Sequence, residues 1–429
     1  MYKSETIFAL GTAPGLAAIA IVRISGPDAH SALDTLAHAP VPVDRTIRLR
    51  SLRDPSTSEI IDQALVVAFP RENSPTGEPY AEVHSHGGVA VPAAVLRVLG
   101  SMSGLRLAEP GEFARRALVN DRLDLTQVEG IADLITAETE AQRRQAVKLV
   151  QGELSAQVAA WRQILTEAQA MLEASIDFSD EDIPDALVAD AVVAIGALAE
   201  DIRSRLIGAK AGGLVRDGLE VAIIGPPNVG KSSLINRLAK REVALTSPSP
   251  GTTRDVIELR CVVNGHLVLF LDTAGLREAT DPVEQAGVAL ARRRASEADL
   301  RIIVWAPVCD QDPQPGDDDI LVWNKSDIAP GPGINVSAKS GSGLEDLLDV
   351  VAAHLSSMVA GADVVVRERH RVMLEEALAH LDRATRSAED VELCAEEVRL
   401  GAMALDRMIG RIDCEEVLGR IFSQLCIGK

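Results

Sequence analysis

Gly225-Pro-Pro-Asn-Val-Gly-Lys-Ser232 follows the apolar run Leu219–Ile224 and precedes a helix-like segment at residues 233–239. A glycine-bounded loop between strand and helix lets backbone N–H groups turn inward around phosphate oxygens at a helix N-terminus. Within it Lys231 has the reach for β and γ oxygens, and the Ser232 hydroxyl is placed to ligate Mg²⁺. Asn228, Val229, Gly230 and Ser233 complete the phosphate loop. The pattern predicts a nucleoside-triphosphate site; alone, it leaves the base open.

Asn324, Lys325 and Asp327 follow a second short apolar strand, Ile320–Trp323. The Asp327 carboxylate can accept hydrogen bonds from guanine N1–H and the 2-amino group, a donor pair that adenine lacks. Leaving a buried carboxylate unpaired is costly enough to reject the wrong base by roughly 10⁴-fold. Ser337, Ala338 and Lys339, after a third strand at 334–336, fit a loop that offers backbone N–H to guanine O6. Between these lie Gly251, Thr252 and Thr253, with Thr253 completing the Mg²⁺ shell, and Asp272, Thr273, Ala274 and Gly275, with the Gly275 N–H sensing the γ-phosphate. This order and spacing predict a GTPase. Leu276 stands where many small GTPases carry the glutamine that orients the attacking water, so another group must do so. Glu284 is one candidate; it would equally open a helix at 287–294, where a carboxylate favours the N-terminal dipole. Asn228 reads either as a solvated turn residue or as an oxygen ligand for a monovalent cation beside the phosphates.

The elements that must position these groups read as a parallel α/β sheet. Residues 259–263 and 267–271 flank Asn264-Gly265, a two-residue hairpin signal, and the second strand delivers Asp272 to the sheet's C-terminal edge. Residues 1–120 mix short alternating runs with Pro/Gly turns and read as α+β. Residues 121–217 are rich in Ala, Leu, Glu, Gln and Arg and read as helices, a texture that returns over 361–429. The expected architecture is multidomain, α+β and α/β: an N-terminal α+β domain, an all-α helical domain, and a Ras-like P-loop GTPase domain at 218–360 inserted in the helical domain.

The chain has 429 residues and a formal charge of −20, so free attraction to nucleic acid is not its default, and RNA contact would need local basic patches. No uncharged apolar run approaches the roughly 18 residues that span a bilayer, which argues against a membrane protein. Residues 7–22 are uncharged, but Gly11, Pro14 and Gly15 interrupt them and Glu5 precedes them, which argues against a signal peptide. Cys261, Cys309, Cys394, Cys414 and Cys426 have neither zinc-like spacing nor an even count, which suits a reducing cytoplasm. His84 and His86 lie at strand spacing, and ordinary polar contacts are favoured over a metal site. Cys426 lies beside Lys429, which can lower a thiol pKa; the alternative is a small hydrophobe packed under the chain end.

Over essentially its whole length the chain resembles the tRNA-modification GTPases of the MnmE (TrmE) family. The resemblance rests on residues 6–12, 21–26, 83–88, 109–117, 120–127, 176–184 and 272–278, and on the final Cys-Ile-Gly-Lys. It implies a homodimer whose N-terminal domain binds 5-formyl-tetrahydrofolate or a related one-carbon donor. It also implies a heterotetramer with an FAD-containing MnmG protein that places an aminomethyl-type group on C5 of the wobble uridine of certain tRNAs. By resemblance Arg23, Glu82, Arg122 and Lys429 occupy folate-contacting positions and Cys426 that of a catalytic thiol. The family GTPase is K⁺-activated, implying cation ligands at Asn228, Ser247, Ser249 and Thr252, with Glu284 organising the water. Arg122 occupies a position where lysine is also familiar. Two departures stand out: the loop Ser247, Pro248, Ser249, Pro250 is stiffer than is usual, and the stretch between Trp305 and Ile320 is short and acidic. The runner-up is a regulatory GTPase of ribosome assembly without base chemistry, which would share every motif from 225 to 339 but not the folate-like N-terminal region or the Cys426 tail.

Overall fold

The computed structural model describes residues 5–177, 186–240, 258–272, 293–294, 296–307, 309, 314–411 and 428. The chain divides into two compact units: Met1–Ala132 with Val150–Ala160 and Met403–Lys429, and Asp133–Leu149 with Trp161–Ala402.

The first unit is built on a six-stranded sheet of β1 (Thr6–Leu10), β2 (Ala17–Ser25), β3 (Arg48–Arg53), β4 (Ile60–Phe69), β5 (Tyr80–Gly87) and β6 (Leu105–Leu107) in the order β3-β4-β5-β2-β1-β6. Alternation along β2 buries Ala20, Val22 and Ile24 on one face, where helices α1 (Ala29–Ala37) and α2 (Ala90–Ser101) bring Leu33, Leu36, Val95 and Leu99 against them. The period of two then turns Arg23 to the other face, directly opposite Glu82 in the antiparallel register of β2 with β5. On that face Ile7, Tyr80 and Phe113 form a smaller core with α3 (Glu112–Val119).

Helices α4 (Leu125–Thr136), α5 (Glu140–Val150), α6 (Glu153–Asp177) and α7 (Ala186–Asp217) follow. In the second unit the chain passes from α7 into a second sheet. Its strands are β7 (Leu219–Ile224), β8 (Glu258–Val263), β9 (His266–Asp272), β10 (Leu300–Trp305), β11 (Ile320–Trp323) and β12 (Ile334–Asn335), in the order β12-β11-β10-β7-β9-β8. All pairings are parallel except the β8–β9 hairpin, whose Asn264 and Gly265 both have positive φ, 49° and 79°, as its tight turn demands. Helices α8 (Lys231–Ala239) and α9 (Leu344–Met358) flank this sheet, and α10 (Glu368–Arg386) and α11 (Val391–Met408) follow it. Arg203 of α7 pairs with Asp382 of α10 at 2.9 Å, so the helices before and after the α/β sheet pack on each other and the sheet is an insertion between them. One face of α10 is buried at Leu374, Ala377 and Leu381, and His370 joins it.

Candidate functional site

Strand order reverses at β7: the chain adds β8 and β9 on one side and β10 to β12 on the other, so the loop after β7 opens at the switch point of the sheet. That loop is the phosphate-loop sequence. Asn228 (φ 66°) and Gly230 (φ 97°) lie in the left-handed region, and Gly230 caps α8, which starts at Lys231. A Cβ at Gly230 would stand 2.5 Å from Asn324 Nδ2, so only glycine permits this approach. Lys231 is buried and its ammonium donates to the carbonyls of Gly225 (2.7 Å) and Pro226 (2.9 Å), folding back over its own loop. Ser232 and Ser233 are exposed in the first turn of α8, the position a metal-ligating hydroxyl requires.

The base-recognition residues assemble against this loop. Asn324 is buried; its Nδ2 donates to the Val229 carbonyl (2.8 Å) while its Oδ1 accepts from the Ala338 amide (3.1 Å), tying the phosphate loop to the 337–339 loop. Lys325 donates to the Asn228 carbonyl at 2.7 Å. Ser337 Oγ donates to Asp327 Oδ1 at 2.6 Å, and this hydrogen bond, with the charge of Lys339, holds the Asp327 carboxyl below its ordinary range, ready to accept. Asp327 is exposed in the protein alone, so the burial assumed in the sequence argument is supplied only when a base covers it. The bridging role of Asn324 was not foreseen from sequence; its place four residues after the start of an apolar strand marks it as a strand-end polar group, but not its two partners.

The backbone of Asp272 pairs with Ile223 at the end of β9, two residues before Gly225, which delivers it to the same edge. Its side chain, and Ser247, Pro248, Ser249, Pro250, Gly251, Thr252, Thr253, Thr273, Ala274, Gly275 and Glu284, lie outside the described residues, as do Cys426 and Lys429.

A second group gathers on the N-terminal sheet. Arg23 Nε lies 3.5 Å from Glu82 Oε1, and Arg23 Nη1 donates to the carbonyl of Gly428 at 3.0 Å. Glu82 is clasped along its own strand: Tyr80 Oη donates to Oε1 (3.0 Å) and His84 Nε2 pairs with Oε2 (2.9 Å). Burial, chiefly, pushes the Tyr80 phenol far up, so it remains a donor at any working pH. Arg23 Nε is buried and makes no hydrogen bond, facing the Glu82 carboxylate at ion-pair distance only. Gly428 fits because a Cβ there would meet the Leu10 carbonyl at 2.0 Å. Of the expected set, Arg122 is not brought into this group: its guanidinium donates to the carbonyls of Arg71, at 2.9 Å, and Glu72, and none of its hydrogen bonds reaches Arg23 or Glu82. Tyr80, His84 and Gly428 were missed from sequence because their meeting depends on strand register and on a contact across the length of the chain. His86 pairs with a different carboxylate, Asp62, at 2.8 Å, and no cluster of three metal-ligating side chains occurs among the described residues.

Comparison with known proteins gives two family models that fit end to end: "GTP-binding protein TrmE N-terminus" over residues 6–122 and "MnmE helical domain" over residues 125–426. The chain belongs to the MnmE family of tRNA modification GTPases. The family's "tRNA modification GTPase MnmE" from Methylobacterium sp. (strain 4-46) is 49% identical over 438 residues, covering 99% of this chain and 100% of its own. The protein of the same name from Parvibaculum lavamentivorans is 47% identical with the same coverage, and that from Cereibacter sphaeroides (strain ATCC 17029 / ATH 2.4.9) 45%. Among solved structures, the G domain of the T. maritima FeoB iron transporter is 24% identical over 34% of this chain and 99% of its own at a TM-score of 0.23, too low to bear on function. Membership of the MnmE family makes the α/β site that of a GTP hydrolase. Among the described residues no helix is long and apolar enough to cross a membrane.

Proposed function

We propose that this MnmE-family GTPase acts with an FAD-containing MnmG partner to add an aminomethyl or carboxymethylaminomethyl group at C5 of the wobble uridine of certain tRNAs, using a tetrahydrofolate one-carbon unit. It works as a cytoplasmic homodimer within a heterotetramer, and its GTP hydrolysis depends on K⁺ and Mg²⁺. The observation that carries the folate reading is the meeting of Arg23, Glu82 and Gly428, with an Arg23 Nε at its centre that is ion-paired to Glu82 but makes no hydrogen bond. This donor set suits 5-formyl-tetrahydrofolate: Glu82, oriented by Tyr80 and His84, accepts from pterin N–H groups, and Arg23 donates to a ring or carbonyl acceptor. The folate supplies the carbon unit when bound. Cys426 stands two residues before Gly428 in the sequence, and in this reading its thiol acts next to that carbon.

In the GTPase site Lys231 holds the β and γ oxygens, exchanging the carbonyls of Gly225 and Pro226 for phosphate, and the Ser232 hydroxyl ligates Mg²⁺. Asn228 is exposed on the loop and offers an amide oxygen for K⁺, which supplies charge that an arginine finger supplies elsewhere. Glu284 positions the water in place of the glutamine absent at Leu276. Calorimetry with 5-formyl-tetrahydrofolate, without nucleotide, tests the reading: the protein should bind it, and Glu82→Ala should weaken binding at least tenfold, about the worth of one charge-assisted hydrogen bond. Absence of binding to the unaltered protein removes the folate assignment; unchanged binding by the variant removes Glu82 from the site.

A further inference from the structure

We infer that Arg237 is a positioning residue for guanine recognition, fixing the base-binding loop from the helix that begins at the phosphate-loop lysine. Arg237 lies in the last turn of α8, and its Nη2 donates to the Ser340 carbonyl at 2.8 Å. It has no ion-pair partner among the described residues, so its charge is directed at one backbone oxygen. Gly341 makes room for it: φ is +89°, and a Cβ there would stand 2.8 Å from Nη2 and 3.1 Å from Nε.

From Ser340 the connection runs to the residue that reads the base. The Ser340 amide donates to Ser337 Oγ (3.2 Å), the Gly341 amide to the Ser337 carbonyl (2.7 Å), and Ser337 Oγ to Asp327 Oδ1 (2.6 Å). A guanidinium on α8 is therefore linked through two hydrogen-bonded residues to the carboxylate that accepts from guanine. Asn324 ties the front of the 337–339 loop to Val229, and Arg237 ties its back to α8. With both ties the loop is held at two points when the base arrives, and the entropy of ordering it is not charged against binding. Without Arg237 the turn at 340–341 keeps only its own amides, and the orientation of Ser337, hence of Asp327, loosens.

Arg237→Met keeps the stem and removes the donors. Release of a fluorescent GDP analogue, followed by stopped flow, should become about tenfold faster, the loss of one hydrogen bond from a charged group. The preference for GDP over inosine diphosphate, which lacks only the 2-amino group that Asp327 accepts, should narrow. Competition by tripolyphosphate, which occupies the phosphate loop without a base, should not change, and Arg237→Lys should restore part of the slow release. Unchanged GDP release and preference in Arg237→Met would overturn the inference. So would equal weakening of GDP and tripolyphosphate, because it would mean that α8 itself, and not the base loop, depends on Arg237.

Discussion

Replacing Glu112 with glutamine should destabilise the N-terminal unit by about 3 kcal/mol at neutral pH, and the loss should fade as the medium is acidified. Glu112 is 2% exposed, in the first turn of α3. Burial opposes its ionisation, but hydrogen bonds from Arg106 (2.6 and 2.8 Å), the Glu109 amide (2.9 Å) and Arg116 (3.0 Å) outweigh burial and bring the carboxyl from 4.5 down to about 2. A carboxyl so depressed contributes about 3 kcal/mol wherever it is ionised in both states. The sign follows: the contribution is complete above pH 4.5 and is lost as pH falls through about 2. At about pH 3.5 the difference between the unaltered protein and Glu112→Gln should have shrunk to about 2 kcal/mol. The same network reaches the functional face, because Arg116 also pairs with Glu78 (2.8 Å) and donates to the carbonyl of Ser25, the last residue of the strand that carries Arg23. Urea unfolding read by amide exchange in β2, at neutral pH and again near pH 3.5, supplies both numbers. A loss below about 0.5 kcal/mol at neutral pH, or one that does not shrink with acid, refutes the reasoning.

Gly230→Ala should abolish measurable GTP binding while leaving the fold intact, since its Cβ would displace Asn324 Nδ2 from 2.5 Å and strain a φ of 97°; retention of affinity within threefold would contradict that geometry. GTP turnover should be at least tenfold faster in K⁺ than in Na⁺ at equal ionic strength, as a cation neutralising charge in the transition state requires; equal rates would leave Asn228 as a turn residue.

The described elements of the nucleotide site were legible because each is local. A strand, a turn and a helix start within a dozen residues place Lys231, and Ile320–Trp323 is a strand as expected, ending beside Asn324. The hairpin at Asn264-Gly265 was readable from its two residues, since few others accept positive φ twice in succession. The clasp on Glu82 was not: Tyr80 and His84 sit at alternate positions of one strand, but their convergence on a single carboxylate depends on rotamers and on Arg23 arriving opposite in register. Arg122 was expected to join this group by resemblance, and local geometry explains why its present hydrogen bonds do not: Asn120 and Arg122 pack on the turn at Gly77, and the guanidinium finds the carbonyls of Arg71 and Glu72 first. His370 in a buried helix face is the converse case, a polar residue at an apolar position that periodicity alone reads as a mistake.

The hydrogen bond between Arg23 and Gly428 joins residues 405 positions apart. As the chain leaves the ribosome, β2 and its arginine emerge before the GTPase sheet and their partner only after the whole of that sheet has been made. A message cut short before codon 428 would thus yield a protein with every described GTPase element, through α9 at Met358, but with Arg23 left without its carbonyl acceptor. Such a fragment would carry the nucleotide machinery without the closed N-terminal group, so the two sites of this protein come into being at different moments of its synthesis.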